Sequence, residues 1–275
     1  MATNKKISKK NKIKIMKDVK LLSLFILSAV FLFACSGNTT QNSGKDTATP
    51  TTPSASGSGD DMYYELTTTA SGKDMSINGV TKMFISSKGN MRSEMNMISS
   101  FKGNKNAEPI IVIAHSSKPD ESIIIDDSAK TYSINHIDRG DLDTKEKTES
   151  TVTKVGEEKI LGFNCVHARI ISKRSIGNFY SMADTVDIWK SSEVPMQSDV
   201  KDLMNQFESR TGNFMYSKEV WDQLKQMGCV GFMVKTEIRN KDASTEMQLT
   251  KVEHRNLPAS MFEIPAEYKE VKDTY

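Results

Sequence analysis

The residues of this chain most able to do chemistry are its three cysteines, and Cys35 holds the most informative position among them. A cysteine thiol is a nucleophile that can be acylated or oxidised. Eight lysines lie within residues 5–20, and a predominantly apolar stretch without charged residues follows over residues 21–34. A basic segment followed by a short apolar one is the pattern of a secretory signal peptide. The stretch is shorter than the roughly 20 apolar residues that a membrane-spanning helix needs, so the sequence predicts export.

The residues that end this stretch, Leu32-Phe33-Ala34-Cys35, resemble the lipobox of bacterial lipoproteins. In that family the cysteine thiol is lipidated and the signal is cut just before it. The resemblance implies a signal peptide over residues 1–34 and attachment of Cys35 to the membrane through acyl chains such as palmitate, each buried CH₂ contributing about 0.8 kcal/mol. An ordinary signal peptide with an incidental cysteine, or an uncleaved anchor, is the alternative.

The other two cysteines, Cys165 and Cys229, form a natural pair in an exported protein, because the compartment outside the cytoplasm is oxidising. A disulfide between them is therefore predicted. It would close a loop of more than sixty residues and contribute about 4 kcal/mol in the chain-entropy account. Two buried free thiols are the alternative, since unpaired cysteine behaves as a small hydrophobic residue.

Signals for metal binding and catalysis are weak. None of the four histidines stands at a zinc-ligand spacing. Met91, Met95 and Met97 carry thioethers that Cu(I) favours, but their alternation places them on one face of a strand, where core filling is the simpler interpretation. The chain has no G-x-S-x-G, P-loop or dinucleotide fingerprint. We therefore predict no enzyme, no metal and no cofactor.

The charge of the chain changes sign once the signal peptide is set aside. Residues 1–34 hold eight of the 37 lysines and arginines but only one of the 35 aspartates and glutamates. The remainder carries 29 basic and 34 acidic residues, so its net charge is near −5. An acidic domain gives no support for nucleic-acid binding or for electrostatic docking onto anionic lipid. We therefore expect the acyl chains alone to attach the protein to the membrane.

Composition divides the exported chain into two parts. Residues 35–60 contain the lipidated cysteine and then only small and polar residues, which cannot form a core and predict a flexible tether. About 25 such residues give a root-mean-square span of roughly 25–30 Å. Residues 61–275 are long enough for one domain.

Most of this domain has the pattern of β-strands. Strand-forming residues recur about every ten positions with turn signals between them, which predicts an antiparallel meander. The predicted strands cover residues 63–69, 91–97, 109–114, 123–125, 131–134, 151–155, 166–171, 181–189, 231–239 and 245–253.

Two amphipathic helices are predicted between the last strands. Val200, Leu203 and Phe207 share one helical stripe, and a second helix begins after residue 217 with Trp221 and Leu224 on one side. Gly228 should end the second helix and place Cys229 at the junction with the next strand. The fold class is therefore α+β, a curved antiparallel sheet with a helical insert packed on its concave face.

Four short sequence motifs in this domain carry a family resemblance: residues 125–132, residues 160–165, residues 187–189, and residues 262–265 with Tyr268. In this order they resemble an uncharacterised domain family of Gram-negative envelope lipoproteins (domain of unknown function 4412). That family is similar to periplasmic lipoprotein carriers and lipid-binding lipoproteins, so the resemblance implies an incomplete β-barrel that helices close around an apolar cavity. It implies no catalytic residues.

The leading functional hypothesis is a non-enzymatic envelope lipoprotein that binds a lipid or other apolar ligand in a half-barrel cavity. Fourteen of the sixteen methionines follow the signal peptide, and flexible thioethers suit a cavity for variable acyl chains. The residues expected to line it are Met95, Met97, Val200, Leu203, Phe207, Trp221 and Leu224. Ser36 follows the lipidated cysteine where Asp would signal inner-membrane retention, so the resemblance implies the outer membrane, facing the periplasm.

The alternative is an interaction or sensor module of the cell envelope. Side chains would then fill the space between sheet and helices. An exposed edge strand or the helical insert would dock a partner protein.

Overall fold

The computed structural model of this protein describes residues 34–35, 59–136, 146–176, 180–196 and 218–272. Residues 1–33 of the predicted signal peptide, nearly all of the tether, and the predicted helix with Val200, Leu203 and Phe207 lie outside these ranges. Residues 34–275 cluster by their contacts as one compact unit. No helix in the described ranges is long and apolar enough to cross a membrane.

One sheet contains the thirteen strands of the described residues. They are β1 (Ala34–Cys35), β2 (Asp61–Gly72), β3 (Met75–Ile85), β4 (Met91–Phe101), β5 (Asn104–Ala114), β6 (Glu121–Asp126), β7 (Thr131–His136), β8 (Glu146–Ile160), β9 (Phe163–Ile176), β10 (Tyr180–Ser191), β11 (Gly231–Arg239), β12 (Ala243–Arg255) and β13 (Lys269–Glu270). All ten predicted strands are confirmed: the predicted strand 231–239 coincides with β11, and each of the other nine lies within a longer strand.

The strands are ordered β13-β7-β6-β5-β4-β3-β2-β12-β11-β10-β9-β8, and β1 adds to β11. Every pairing is antiparallel except that of β13 with β7. The two ends of this order, β13 and β8, are not neighbours, so the sheet is open. The predicted antiparallel meander is confirmed for β2–β7 and for β8–β10, and β12 joins these two runs by pairing with β2.

Strand β3 is absent from the sequence prediction, because Asn78-Gly79 in its middle is a typical turn signal. In the structure Gly79 pairs with Thr68 on one side and with Met97 on the other. A Cβ atom at Gly79 would lie 2.2 Å from the sulfur of Met97 and 2.6 Å from the carbonyl oxygen of Asn96. The glycine therefore permits a close approach of two strands instead of a turn.

The predicted second helix is confirmed as α1 (Lys218–Gln226). Its end is a Schellman motif, with Gly228 in the left-handed region at φ +75°. The amide of Gly228 donates to the carbonyl of Lys225 at 3.0 Å, and the amide of Cys229 donates to that of Leu224 at 2.9 Å. As predicted, Gly228 ends the helix and Cys229 stands at its junction with the next strand.

The two faces of the sheet are covered by different elements. Along β10, Ile188 and Lys190 point to one face, where the Lys190 ammonium lies 5.1 Å from the centre of the Trp221 ring of α1. We call this the helix-bearing face. The opposite face carries the C-terminal tail, where Phe262 packs against Tyr63 and Phe84. We call that the tail-bearing face.

The predicted disulfide is not formed, and Cys165 and Cys229 are both buried free thiols. The Cys165 thiol donates to the carbonyl of Phe163 at 3.4 Å, whereas the Cys229 thiol lies 3.6 Å from the carbonyl of Val166. Each sulfur is thus directed at a backbone oxygen instead of at the other sulfur. The structure therefore has two buried free thiols, which is the alternative to the disulfide that the sequence left open.

Candidate ligand-binding face

The helix-bearing face is predominantly apolar. Strand pairing identifies the residues of this face, because directly paired residues lie on the same face of a sheet. Ile188 pairs with Thr236, Thr236 pairs with Met247, and Met247 pairs with Thr68. Its buried apolar side chains include Leu66, Met83, Ile85, Met91, Met95, Val112, Ala168, Ile170, Ile188, Met247 and Leu249. The face therefore extends across eight neighbouring strands, from β5 to β9 in the order of the sheet.

Several buried hydroxyls interrupt this apolar surface, and three of them lie on neighbouring strands. Thr68, Thr81 and Ser93 are at most 2% exposed, and none of their hydroxyl oxygens has a hydrogen-bond partner among the described residues. A buried polar group without a partner costs about 1–3 kcal/mol, and such groups are rare in folded proteins. Each of these three hydroxyls can therefore form a hydrogen bond with another molecule.

These hydroxyls form a diagonal across β2, β3 and β4. Thr81 pairs with Leu66, two residues from Thr68, and Ser93 pairs with Met83, two residues from Thr81. Diagonal neighbours on one face of a sheet lie about 7–8 Å apart. We call Thr68, Thr81 and Ser93 the hydroxyl stripe.

The predicted cavity residues that the structure describes occupy two parts of this face. Met95 is buried beside Thr81, and Met97 is half-buried and lies over Gly79. Leu224 is buried and Trp221 half-buried on α1, near β8 and β10. Four strands separate β4 from β10, so the methionines and the helix mark different ends of the face.

Lys190 is a functional candidate that the sequence analysis missed. Its side chain is 1% exposed, although it carries an ammonium group, and it follows Val186 and Ile188 on the apolar side of β10. Burial lowers its pKa to about 8, and the charge of Lys225 acts in the same direction. The alternation of residues 186 and 188 in the predicted strand 181–189, continued by one residue past its end to position 190, is the signal that would have found it.

Burial also acts on the two thiols. It raises the pKa of Cys165 to about 11 and that of Cys229 to about 11. Both are therefore protonated at neutral pH and behave as small apolar groups, which argues against a nucleophilic role for either.

A family model described as "Domain of unknown function (DUF4412)" matches residues 65–268. This chain belongs to the DUF4412 family. The matched range includes the hydroxyl stripe, Lys190, α1 and all four motifs that suggested the family from the sequence.

Two of these motifs meet in the fold of the DUF4412 domain. Lys130 donates to the phenol oxygen of Tyr268 at 3.0 Å and pairs with Asp127 at 2.9 Å, and the Tyr268 hydroxyl bonds to Asp127. Ile264 and Tyr268 also pack against the buried cluster of Ile113, Ile123 and Ile125, and β13 pairs with β7. The motifs thus dock the tail onto the sheet.

A third motif, Asp187-Ile188-Trp189, joins strands on the tail-bearing face. Asp187 is 1% exposed and accepts hydrogen bonds from His167 at 2.9 Å, from Arg169 at 2.8 Å, and from Arg239. Burial opposes its ionisation, but the bonds from Arg169 and His167 and the charges of both arginines hold the pKa of Asp187 below its usual value. This cluster ties β9, β10 and β11 together and leaves its carboxylate fully occupied.

A groove of about 460 Å³ opens beside this cluster, mainly on the tail-bearing face. Every lining residue except Ala70 has a polar side chain; the others are Thr69, Ser71, Ser76, Asn78, Glu237, Arg239, Ser244, Thr245 and Glu246. It therefore differs from the apolar cavity that the sequence predicted. The described residues contain no group of three or more His, Cys, Asp or Glu side chains placed to hold a metal ion.

Solved structures similar to the DUF4412 chain share little sequence with it. The crystal structure of LprF from Mycobacterium bovis is 10% identical, covering 75% of this chain and 89% of that one with a TM-score of 0.31. A LolA superfamily protein from Nitrosomonas europaea is 9% identical over 77% and 94% of the two chains, with a TM-score of 0.30. A putative outer membrane lipoprotein-sorting protein domain from Vibrio parahaemolyticus is 7% identical over 74% and 88%, with a TM-score of 0.28.

At these TM-scores the likenesses carry no argument about function. A comparison with curated protein sequences found no match.

Proposed function

We propose that this protein is a non-enzymatic envelope lipoprotein whose DUF4412 domain binds a lipid or another apolar ligand on its helix-bearing face. The observation that carries the proposal is the hydroxyl stripe, Thr68, Thr81 and Ser93, which has no hydrogen-bond partner among the described residues. Buried donors in an apolar face suit a ligand that combines acyl chains with ester or other carbonyl oxygens.

The size of the sheet supports a cavity on this face. Twisted open sheets of more than about ten strands curl, split or flatten, and this one has thirteen strands. We propose that it curls into a half-barrel around the helix-bearing face, with α1 on the concave side. Met95, Met97, Trp221 and Leu224 would then line the cavity together with the hydroxyl stripe, and Val200, Leu203 and Phe207 would complete it.

The proposed location follows from the N-terminal sequence. Lipidation of Cys35 would anchor the chain, and Ser36 favours the outer membrane. Cleavage before Cys35 would remove Ala34 from the pair of β1 with β11, and once Cys35 leaves β11 the small polar residues up to position 60 would let the domain hang away from the bilayer. The domain would then meet its ligand in the periplasm.

The two tryptophans provide a direct test, because they lie on opposite faces. Trp221 contacts Lys190 on the helix-bearing face, whereas Trp189 stacks on His167 on the tail-bearing face with ring centres 4.0 Å apart. The probe is 9,10-dibromostearate, whose bromines quench only nearby indole fluorescence. The protein is the mature chain with Cys35→Ser, so that no acyl chain of its own competes.

Two single-tryptophan variants are compared. We expect dibromostearate to quench Trp221 in the Trp189→Phe variant, while the Trp221→Phe variant, which retains Trp189, stays close to its unquenched intensity. Equal quenching of the two, or quenching of neither, would contradict binding on the helix-bearing face and would favour the interaction-module alternative.

A further inference from the structure

Lys190 places a positive charge inside the face proposed to bind lipid. Its side chain is 1% exposed and lies among apolar residues of β9 and β10, including Ile188 and Ala168. Lysine is almost never fully buried unless it is paired, because removing an ammonium from water is costly. A buried lysine in this position therefore requires an explanation.

The described residues supply no counter-ion for this charge. No carboxylate among them lies within 4.0 Å of the Lys190 ammonium, and the groups that act on it are the Cys229 thiol, the Lys225 ammonium and the Trp221 ring. The thiol is neutral at pH 7 because burial raises the pKa of Cys229 to about 11. The aromatic ring attracts the cation but does not neutralise it.

We propose that Lys190 binds the anionic head group, carboxylate or phosphate, of an amphiphile whose acyl chain lies along the helix-bearing face. This inference rests on the proposed function and narrows its ligand from any apolar molecule to an anionic amphiphile. The Trp221 ring orients the Lys190 ammonium, and a single oxyanion of the head group accepts a hydrogen bond from that ammonium.

The placement of the hydroxyl stripe agrees with this ligand. Three strand spacings separate β10, which carries Lys190, from β2, which carries Thr68. At about 4.8 Å per spacing that is roughly 14 Å, which a long acyl chain can span. A head group at Lys190 would therefore send its chain across Thr236 and Met247 towards the stripe.

A structural role for Lys190 makes the opposite prediction about stability. If an internal carboxylate neutralised the lysine, removal of the lysine would leave that carboxylate buried and would destabilise the fold. If only a bound ligand neutralises the Lys190 charge, removal of that charge should stabilise the ligand-free protein. Binding and stability should then change in opposite directions in the Lys190→Met variant.

The experiment compares two pairs of amphiphiles that share their hydrocarbon chains, with an anionic head group in one member and a neutral head group in the other. Oleate is matched with oleyl alcohol, and dioleoylphosphatidylglycerol is matched with dioleoylglycerol. Each is titrated into the mature Cys35→Ser chain, into its Lys190→Met variant, and into a Lys159→Met control that removes an exposed lysine of β8.

We expect the parent chain to bind at least one anionic member about tenfold more tightly than its neutral partner, the contribution of one charge-assisted hydrogen bond. Lys190→Met should abolish the preference and have a higher melting temperature, and Lys159→Met should keep it. A preference in the oleate pair assigns a carboxylate head group, and one in the other pair assigns a phosphate.

Equal affinities within both pairs, or a preference that survives Lys190→Met, would overturn the inference while leaving the proposed function intact. A destabilised or unfolded Lys190→Met protein would overturn it as well, because it would reveal a structural partner for the charge. Binding of none of the four amphiphiles would instead refute the proposed function itself.

Discussion

A single buried side chain, Lys190, gives the structure its sharpest prediction about stability. In the folded state burial lowers the pKa of Lys190 to about 8, from the ordinary 10.5 of the unfolded chain. Between these values the unfolded chain takes up a proton that the folded protein does not. The contribution of Lys190 to stability therefore falls as the pH drops from about 10.5 to about 8 and is constant below that.

We expect Lys190→Met to raise the free energy of unfolding at pH 7 by about 3 kcal/mol, since each unit of pKa shift corresponds to about 1.4 kcal/mol. Urea titrations of parent and variant at several pH values measure this. The gain should shrink towards pH 10.5, and a variant that is less stable than the parent at pH 7 would contradict the burial of an unpaired charge.

The two thiols give a second prediction at this scale. Because burial raises the pKa of Cys165 and of Cys229 to about 11, from an ordinary 9.0, the unfolded chain ionises first as the pH rises. Their contribution to stability is thus complete below about pH 9 and is lost between about pH 9 and 11.

We expect a thiol reagent to label neither cysteine in the native Cys35→Ser chain at pH 7, and to label both once the chain is unfolded without reductant. Rapid labelling of the native protein would contradict the burial. Failure to label the unfolded protein would restore the disulfide that the sequence predicted.

At the scale of elements, local signals predicted the structure where they agreed with one another. Gly231–Arg239 was predicted to its last residue, and α1 was predicted because an apolar stripe ends at Gly228. Strand β3 was not predicted, because Asn78-Gly79 indicates a turn when it is considered alone. The reason for a glycine there is a contact with β4, which no local pattern contains.

The glycine of β3 can be tested against a matched glycine elsewhere. A Cβ at Gly79 would lie 2.6 Å from the backbone oxygen of Asn96, whereas nothing lies within 4 Å of one at Gly156 in β8. We expect Gly79→Ala to lower the free energy of unfolding by about 1–3 kcal/mol through overpacking. Gly156→Ala should be neutral or slightly stabilising.

Thermal or urea unfolding of the two variants measures the difference. Equal effects of the two substitutions would mean that β3 and β4 do not approach as closely as the structure has them.

At the scale of the whole molecule, the strands of the described residues form a single open sheet whose two faces are covered by different elements. The family of the chain followed from short sequence motifs, and the antiparallel meander of its two runs, β2–β7 and β8–β10, followed from spacing along the chain. Which residues share a face with Lys190 did not, because that depends on the register of nonadjacent pairs such as β12 with β2. The hydroxyl stripe was missed for the same reason, since Thr68, Thr81 and Ser93 are brought together only by strand pairing.

The two faces account for different parts of the sequence. On the tail-bearing face, Asp187 and Tyr268 use their polar groups to join strands and to dock the tail. On the helix-bearing face of the described part of the chain, three buried hydroxyls have no hydrogen-bond partner, and no carboxylate lies within 4.0 Å of the Lys190 ammonium. An anionic lipid bound to this face would accept hydrogen bonds from the hydroxyls and would neutralise the ammonium.

The measurement that tests this account most directly is native mass spectrometry of the mature Cys35→Ser chain, exported to the periplasm and purified without detergent. We predict an adduct of lipid mass that organic extraction removes, and that reappears when fatty acid or phospholipid is added back. A clean ligand-free mass that stays unchanged in the presence of added oleate and phosphatidylglycerol would contradict the claim that this DUF4412 protein binds a lipid.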